Sequence, residues 1–283
     1  MPNVVACIDG SGATSAVCDY AAWASARMGL PLTLLHVLDG KRFPAEASLA
    51  GNIGLGTREH LLTELAELDE QRNRLALRHG RVLLEEAEQR LANAGTPGLE
   101  KKQRHGSLLE SLEDLEDTTS LFVMGLHGEH SGEGKHLIGS QLETVIRRIR
   151  RPIVLVPDTF TPPRSAMLAF DGSQTAFKSA KLLATTSVFE DMPIHIVMVG
   201  PATEDRKALM AEAEDILKPL GGEIITAIRA GEVEEVLGEY KQQNKIDLMA
   251  MGAYGHSKLR RFLVGSTTTH MLEASKKPVV ILR

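Results

Sequence analysis

Residues Val4, Val5, Ala6, Cys7, Ile8, Asp9, Gly10 and Ser11 set a pattern that returns as Ala166, Met167, Leu168, Ala169, Phe170, Asp171, Gly172 and Ser173. Each time an unbroken apolar run ends on Asp, Gly, Ser. A short apolar run without alternation reads as a strand buried on both faces, as in parallel sheets. After the first run, small and apolar residues recur at helical spacing from Ser15 to Met28 (Ala16, Tyr20, Trp23, Ala24), and Gly29 stops them. Leu32 to Leu38 reads as the next strand, so strand, helix and strand form a βαβ unit. A constant offset of 162 carries Asp9 to Asp171, Pro31 to Pro193 and Val37 to Val199. Agreement over a whole unit indicates duplication.

Further along, the offset drops to 125 for Gly106 and Gly231, 127 for Gly125 and Gly252, and 126 for Pro152 and Pro278. The first copy therefore carries about 36 extra residues between its second and third strands. This insert, about residues 40–95, holds a glycine-containing loop from Gly51 to Gly56 and a helical stretch from about Arg58 to Ala94. Leucines 61, 62, 65, 68, 75, 83, 84 and 91 alternate with charges there, which reads as an amphipathic helix or a bent pair. Three roles suit such an element: an arm covering its own domain, a partner or dimer surface, or a lid over a ligand. The Gly51 loop lacks the lysine and hydroxyl residue of a P-loop.

Both copies close alike, with Ile153 to Val156 and Val279 to Leu282 as last strands after Pro152 and Pro278. Pro157 to Pro163, with its Pro162 and Pro163 pair, is the natural linker. The expected division is a first domain over 1–158, a linker over 159–164 and a second domain over 165–283. The fold class is α/β, with two tandem doubly wound domains, each a five-stranded parallel sheet flanked by helices. The last strands are apolar enough to pair edge to edge across a pseudo-twofold axis, joining the two domains within one chain. A homodimer through the insert is a further expectation.

The 283 residues suffice for two domains with cores, and the net charge of −5 gives no basic face for general nucleic-acid binding. No apolar run is long enough for membrane insertion, and Met1 to Gly10 lacks the pattern of a secretory signal, so the cytoplasm is the expected location. Cys7 and Cys18 match no zinc or disulfide pattern and read as packing residues.

Chemistry concentrates where the fourth strand of the second copy ends: Met251, Gly252, Ala253, Tyr254, Gly255, His256, Ser257, Lys258, Leu259, Arg260, Arg261, Phe262, Leu263, Val264, Gly265, Ser266, Thr267. A strand over Ile246 to Met251, a glycine loop and a helix start suit an anion. Glycines let backbone N–H groups turn toward a phosphate, and a helix N-terminus adds unpaired donors and positive potential. Lys258, Arg260 and Arg261 add charge.

Two α/β copies with this loop after the fourth strand resemble the universal stress protein family in its tandem form. Its nucleotide-binding members carry G, two residues, G, nine residues, then G with S or T, which Gly252, Gly255, Gly265 and Ser266 match. The resemblance covers nearly the whole chain. It implies an adenine-nucleotide alpha-hydrolase-like fold and a stress-response protein that binds ATP, with ADP or AMP as alternatives, together with magnesium. The adenine would lie beside Val199, Asp171 would face the ribose or a metal on the phosphates, and Gly252, Gly255, Gly265, Ser266 and Thr267 would cradle the phosphates.

The first copy offers Asp9, Val37, Gly125, Gly128, Gly139 and Ser140, but ten residues separate its second and third glycines. Its loop also carries Glu129 and Glu133 against Lys135, each carboxylate opposing a polyphosphate by about 1 kcal/mol. His127, His130 and His136 would offset this only when protonated, and as metal ligands they match no strong motif. The second copy is therefore the expected site.

A phosphate cradle binds without hydrolysing, because phosphoryl transfer also needs a positioned water or acceptor and a base or orienting residue. No P-loop, HExxH, CxxC or Ser-His-Asp order is present. A regulator or scaffold is the expected role, with at most weak ATPase or self-phosphorylating activity. A nucleotide-independent scaffold, or a binder of another ligand, is the alternative.

Overall fold

The apolar runs become strands because each supplies side chains to both faces of one sheet. The computed structural model describes residues 1–38, 55–93, 96, 98–126, 140–252 and 277–283. The first copy comprises β1 (Asn3–Cys7), α1 (Thr14–Met28), β2 (Leu32–Leu38), α2 (Leu55–Asn93), β3 (Glu100–His105), α3 (Leu108–Leu115), β4 (Thr119–Gly125), α4 (Ser140–Arg148) and β5 (Ile153–Val156). The second comprises β6 (Ala166–Ala169), α5 (Gln174–Ala184), β7 (Ile194–Val199), α6 (Glu204–Leu217), β8 (Ile224–Arg229), α7 (Val233–Gln243), β9 (Leu248–Gly252) and β10 (Val279–Leu282). Residues 157–165, between β5 and β6, adopt no helix or strand.

Ten strands form a single sheet in the order β3-β2-β1-β4-β5-β10-β9-β6-β7-β8. Pairing is parallel within each copy. The joint is antiparallel, with Val279 opposite Leu155, Val280 opposite Val154 and Ile281 opposite Ile153. The two last strands thus meet edge to edge, as their composition suggests, and each copy covers the other's open edge.

Alternation along the strands divides the core. Val4, Ala6, Val154 and Val280 face the layer that holds α1, α2, α5 and α6. Val5, Ile153, Met249 and Ile281 face the layer that holds α3, α4 and α7. Both apolar layers run unbroken from one copy into the other. Polar contacts reinforce the joint: Arg27 Nε of α1 donates to the Val188 carbonyl at 2.7 Å, and its guanidinium also reaches the Glu190 carbonyl. Tyr20 meets Phe160 edge to face at 4.7 Å, and its hydroxyl accepts from Thr161 N at 3.3 Å.

Three boundaries differ from the sequence reading. The insert contributes one helix of 39 residues, with Leu55 and Gly56 inside it rather than in the preceding loop. Its Leu84, Ala87 and Leu91 are buried at positions equivalent to Met210, Ala213 and Leu217 of the 14-residue α6. The inserted residues therefore lengthen a helix that both copies share. Strand β9 starts at Leu248, because Asp247 turns its carboxylate to the Arg164 N–H at 3.1 Å and its own N–H to Ser165 Oγ at 3.2 Å. Strand β6 ends at Ala169, one residue before Phe170. Among the described residues no helix is long and apolar enough to cross a membrane.

Candidate functional site

In each copy the strand order reverses direction between β1 and β4, or β6 and β9, and such a switch point opens a crevice at the carboxyl ends of the strands. Register decides which residues reach it. Cys7 lies opposite Leu35 and Met124, so Asp9, Val37 and Gly125, one or two residues further on, stand in one layer at the crevice mouth. Ala169 lies opposite Val197 and Met251, which places Asp171, Val199 and Gly252 in the equivalent layer. Residues spread over 116 positions in the first copy and 81 in the second are thereby brought onto three adjacent strands, roughly 4.8 Å apart per step.

The aspartates are held alike. Asp9 Oδ1 accepts from Ser11 N at 3.0 Å, and Asp171 Oδ1 accepts from Ser173 N at 3.0 Å. Gly10 and Gly172 between them have φ of 82° and 75°, the left-handed conformation that glycine adopts without penalty. Beyond this turn the copies part. Ser173 Oγ accepts from Ala176 N at 3.1 Å and caps α5. Its equivalent Ser11 has a buried Oγ with no hydrogen-bond partner among the described residues, and α1 starts later, at Thr14, whose Oγ1 accepts from Gly10 N at 3.1 Å. The second copy is the better-satisfied frame.

Gly252 ends β9 directly under α5. A Cβ there would lie 2.9 Å from Ser179 Oγ, so a larger residue would press on the helix that begins beside Asp171. The helix after the second strand crowds both mouths: α2 brings His79 Cε1 to 3.5 Å and Leu83 Cδ2 to 3.9 Å from the position of a Gly10 Cβ, and α6 brings Leu209 Cδ1 to 2.9 Å from that of a Gly172 Cβ.

Two cations not singled out from the sequence also stand at the mouths. Arg104 of β3 pairs in register with Val37, and Arg229 of β8 with Val199. The offset of 125 that relates Gly106 to Gly231 relates these arginines too, and it was the available signal. Arg104 is engaged with Asp114 at 2.9 Å. Arg229 lies over the Tyr240 ring at 5.8 Å and donates to the Ile228 carbonyl at 3.1 Å.

Both thiols are held in the protonated form. Burial, and after it the charge of Asp9, push Cys7 up to about 12; burial, and after it Asp19, opposed by Arg90, push Cys18 up to about 12. Among the described residues no group of three or more His, Cys, Asp or Glu is arranged to hold a metal ion.

Of the sequence candidates, Asp171, Val199 and Gly252 come together, as do Asp9, Val37 and Gly125. Gly255, Gly265, Ser266, Thr267, Lys258, Arg260 and Arg261 lie outside the described residues, as do Gly128, Gly139, Glu129, Glu133, Lys135 and the histidines 127, 130 and 136. Ser140 is the first residue of α4.

A sequence model of the universal stress protein family matches residues 1–157 and again 165–283. A universal stress protein of Synechocystis sp. is 33% identical over 287 residues, spanning 100% of both chains. A universal stress protein of Methanocaldococcus jannaschii is 27% identical over 81 residues, 29% of this chain and 50% of its own length. The crystal structure of a universal stress protein from Archaeoglobus fulgidus shares the fold, with a TM-score of 0.64 at 18% identity over 99% of this chain and 96% of that one. With both copies matched separately and a relative aligned from end to end, the chain belongs to the universal stress protein family and carries two tandem domains of it.

Proposed function

We propose that the chain binds one adenine nucleotide, ATP in the first instance, in the crevice of its second copy, and acts as a stress-responsive regulator or scaffold. The observation that carries this reading is the shared layer of Asp171, Val199 and Gly252 at the switch point, with Gly252 opening the motif completed in sequence by Gly255, Gly265, Ser266 and Thr267. In this reading the base lies along Val199 and the Asp171 carboxylate receives a ribose hydroxyl or a magnesium ion carried by the phosphates. The phosphates meet glycine N–H groups and the hydroxyls of Ser266 and Thr267. Magnesium, when bound, would neutralise phosphate charge.

The first copy takes no nucleotide in this reading. Its loop has the longer spacing and two carboxylates. Native mass spectrometry of the purified chain tests the assignment. One nucleotide per chain is expected, retained in Gly125→Val and lost in Gly252→Val. Two nucleotides per chain, or loss with Gly125→Val alone, would overturn it. Turnover of ATP measured on the same preparations separates binding from slow hydrolysis.

A further inference from the structure

Helix α2 is about 58 Å long at 1.5 Å per residue, whereas its counterpart α6 covers about 21 Å. Only its last turns are held by the core, where Leu83, Leu84, Ala87 and Leu91 are buried. Before them, the side chains from Glu64 to Arg81 are exposed or half-buried, apart from Gly80. The exposed part is not polar all round. Leu68, Leu75 and Val82 are exposed by 49%, 62% and 45%, and half-buried Leu65 continues them. The spacings 65, 68, 75 and 82 fall on the two apolar positions of a seven-residue repeat, so these side chains form one stripe. Arg72 and His79 take the remaining places in it.

The charges along the same stretch are segregated. Glu64, Glu67, Asp69 and Glu70 precede Arg72, Arg74, Arg78 and Arg81, with no opposite charge inside either block. Such segregation also suits a lone helix, through the macrodipole and pairs like Glu70 with Arg74 at 2.6 Å. A lone helix in water gains nothing, however, from a row of exposed leucines. Both features are served together by an antiparallel helix of the same sequence. A two-fold axis near Arg72 sets each acidic block beside Arg74, Arg78 and Arg81 of the other chain and buries the stripe on both sides, with the two Arg72 side chains meeting at the axis. Parallel pairing would set like charge on like charge.

We propose that the exposed half of α2 docks with α2 of a second copy of this chain, antiparallel, forming a homodimer independent of the β5–β10 joint. Sedimentation velocity on the full chain tests it. A dimer is expected, loosened by rising salt, because part of its attraction is between exposed charges. Leu68→Glu combined with Leu75→Glu weakens it by on the order of a hundredfold while circular dichroism stays native. Two charge variants guard against misfolding. One carries Glu64, Glu67, Asp69 and Glu70 all changed to Lys; the other carries Arg72, Arg74, Arg78 and Arg81 all changed to Glu. Each alone should be monomeric, and their mixture should dimerise. A native chain that stays monomeric at tens of micromolar, or a dimer indifferent to these changes, overturns the proposal, and the first result would assign the stripe to another partner or to its own chain.

Discussion

At the scale of single residues, His195 reports on the second copy's core. It is buried on β7, with Nδ1 2.9 Å from the Tyr240 hydroxyl and the two rings edge to face at 5.7 Å. Burial lowers its pKa below the ordinary 6.5, and the charge of Glu223 opposes this only in part. The unfolded chain therefore takes up a proton near pH 6.5 that the folded chain takes up only at lower pH. This contribution to stability is complete above that value and is lost as pH falls toward the lowered one. His195→Gln keeps a partner for Tyr240 and does not titrate. It should cost about 1 kcal/mol at pH 7.5 and flatten the fall of the thermal midpoint between pH 7 and pH 5. Parallel midpoint curves for the two proteins would refute it. The duplication makes Asp9 and Asp171 legible as a pair in the sequence, because an Asp-Gly-Ser turn is a local signal. Arg104 and Arg229 are harder to read, since a cation at the end of an edge strand means little until register sets it beside Val37 or Val199.

At the scale of elements, α2 shows what periodicity can and cannot say. Its leucines announced an amphipathic helix, yet leucines of the same type are buried at 84 and 91 and exposed at 68 and 75. Sixteen residues separate 68 from 84 and 75 from 91, about 160° around the helix, so the core takes one face and the exposed leucines line nearly the opposite one. Gly80 marks the crossing point. A Cβ there would stand 2.3 Å from Gln103 Nε2 and 2.6 Å from His36 Cδ2. His36 cannot easily yield, because its Nδ1 donates to the Ile8 carbonyl at 2.9 Å and its Nε2 is already buried without a partner among the described residues. Helix propensity alone would make Gly80→Ala stabilising by about 1 kcal/mol. Overpacking of about 1–3 kcal/mol should outweigh it. The variant is therefore expected to be less stable by roughly 1 kcal/mol in urea denaturation. A more stable variant would mean that α2 rides higher over the sheet.

At the scale of the whole molecule, the open question is whether two domains of one family behave as two folding units. Length, the repeat and the proline-containing stretch around residue 160 suggest two units connected by a linker. The physical joint is stronger than a linker. Ile153, Val154, Leu155, Val279, Val280 and Ile281 are all exposed by 2% or less, and burying each contributes about 1.5–3 kcal/mol relative to exposure. Separating the copies would open the sheet at its centre, expose two apolar strand edges, and withdraw Arg27 from the carbonyls of the opposite copy. Neither copy gains enough elsewhere to offset that loss, so neither should persist folded while the other melts. Calorimetry of the nucleotide-free chain should therefore give one transition, with a calorimetric enthalpy equal to the van't Hoff value per monomer. Ile281→Pro removes a ladder donor from the antiparallel pair and should lower the midpoint of the whole chain by several degrees. Two resolved transitions in the native protein, one of them untouched by Ile281→Pro, would show instead that the copies are independent and that the joint only brings them together.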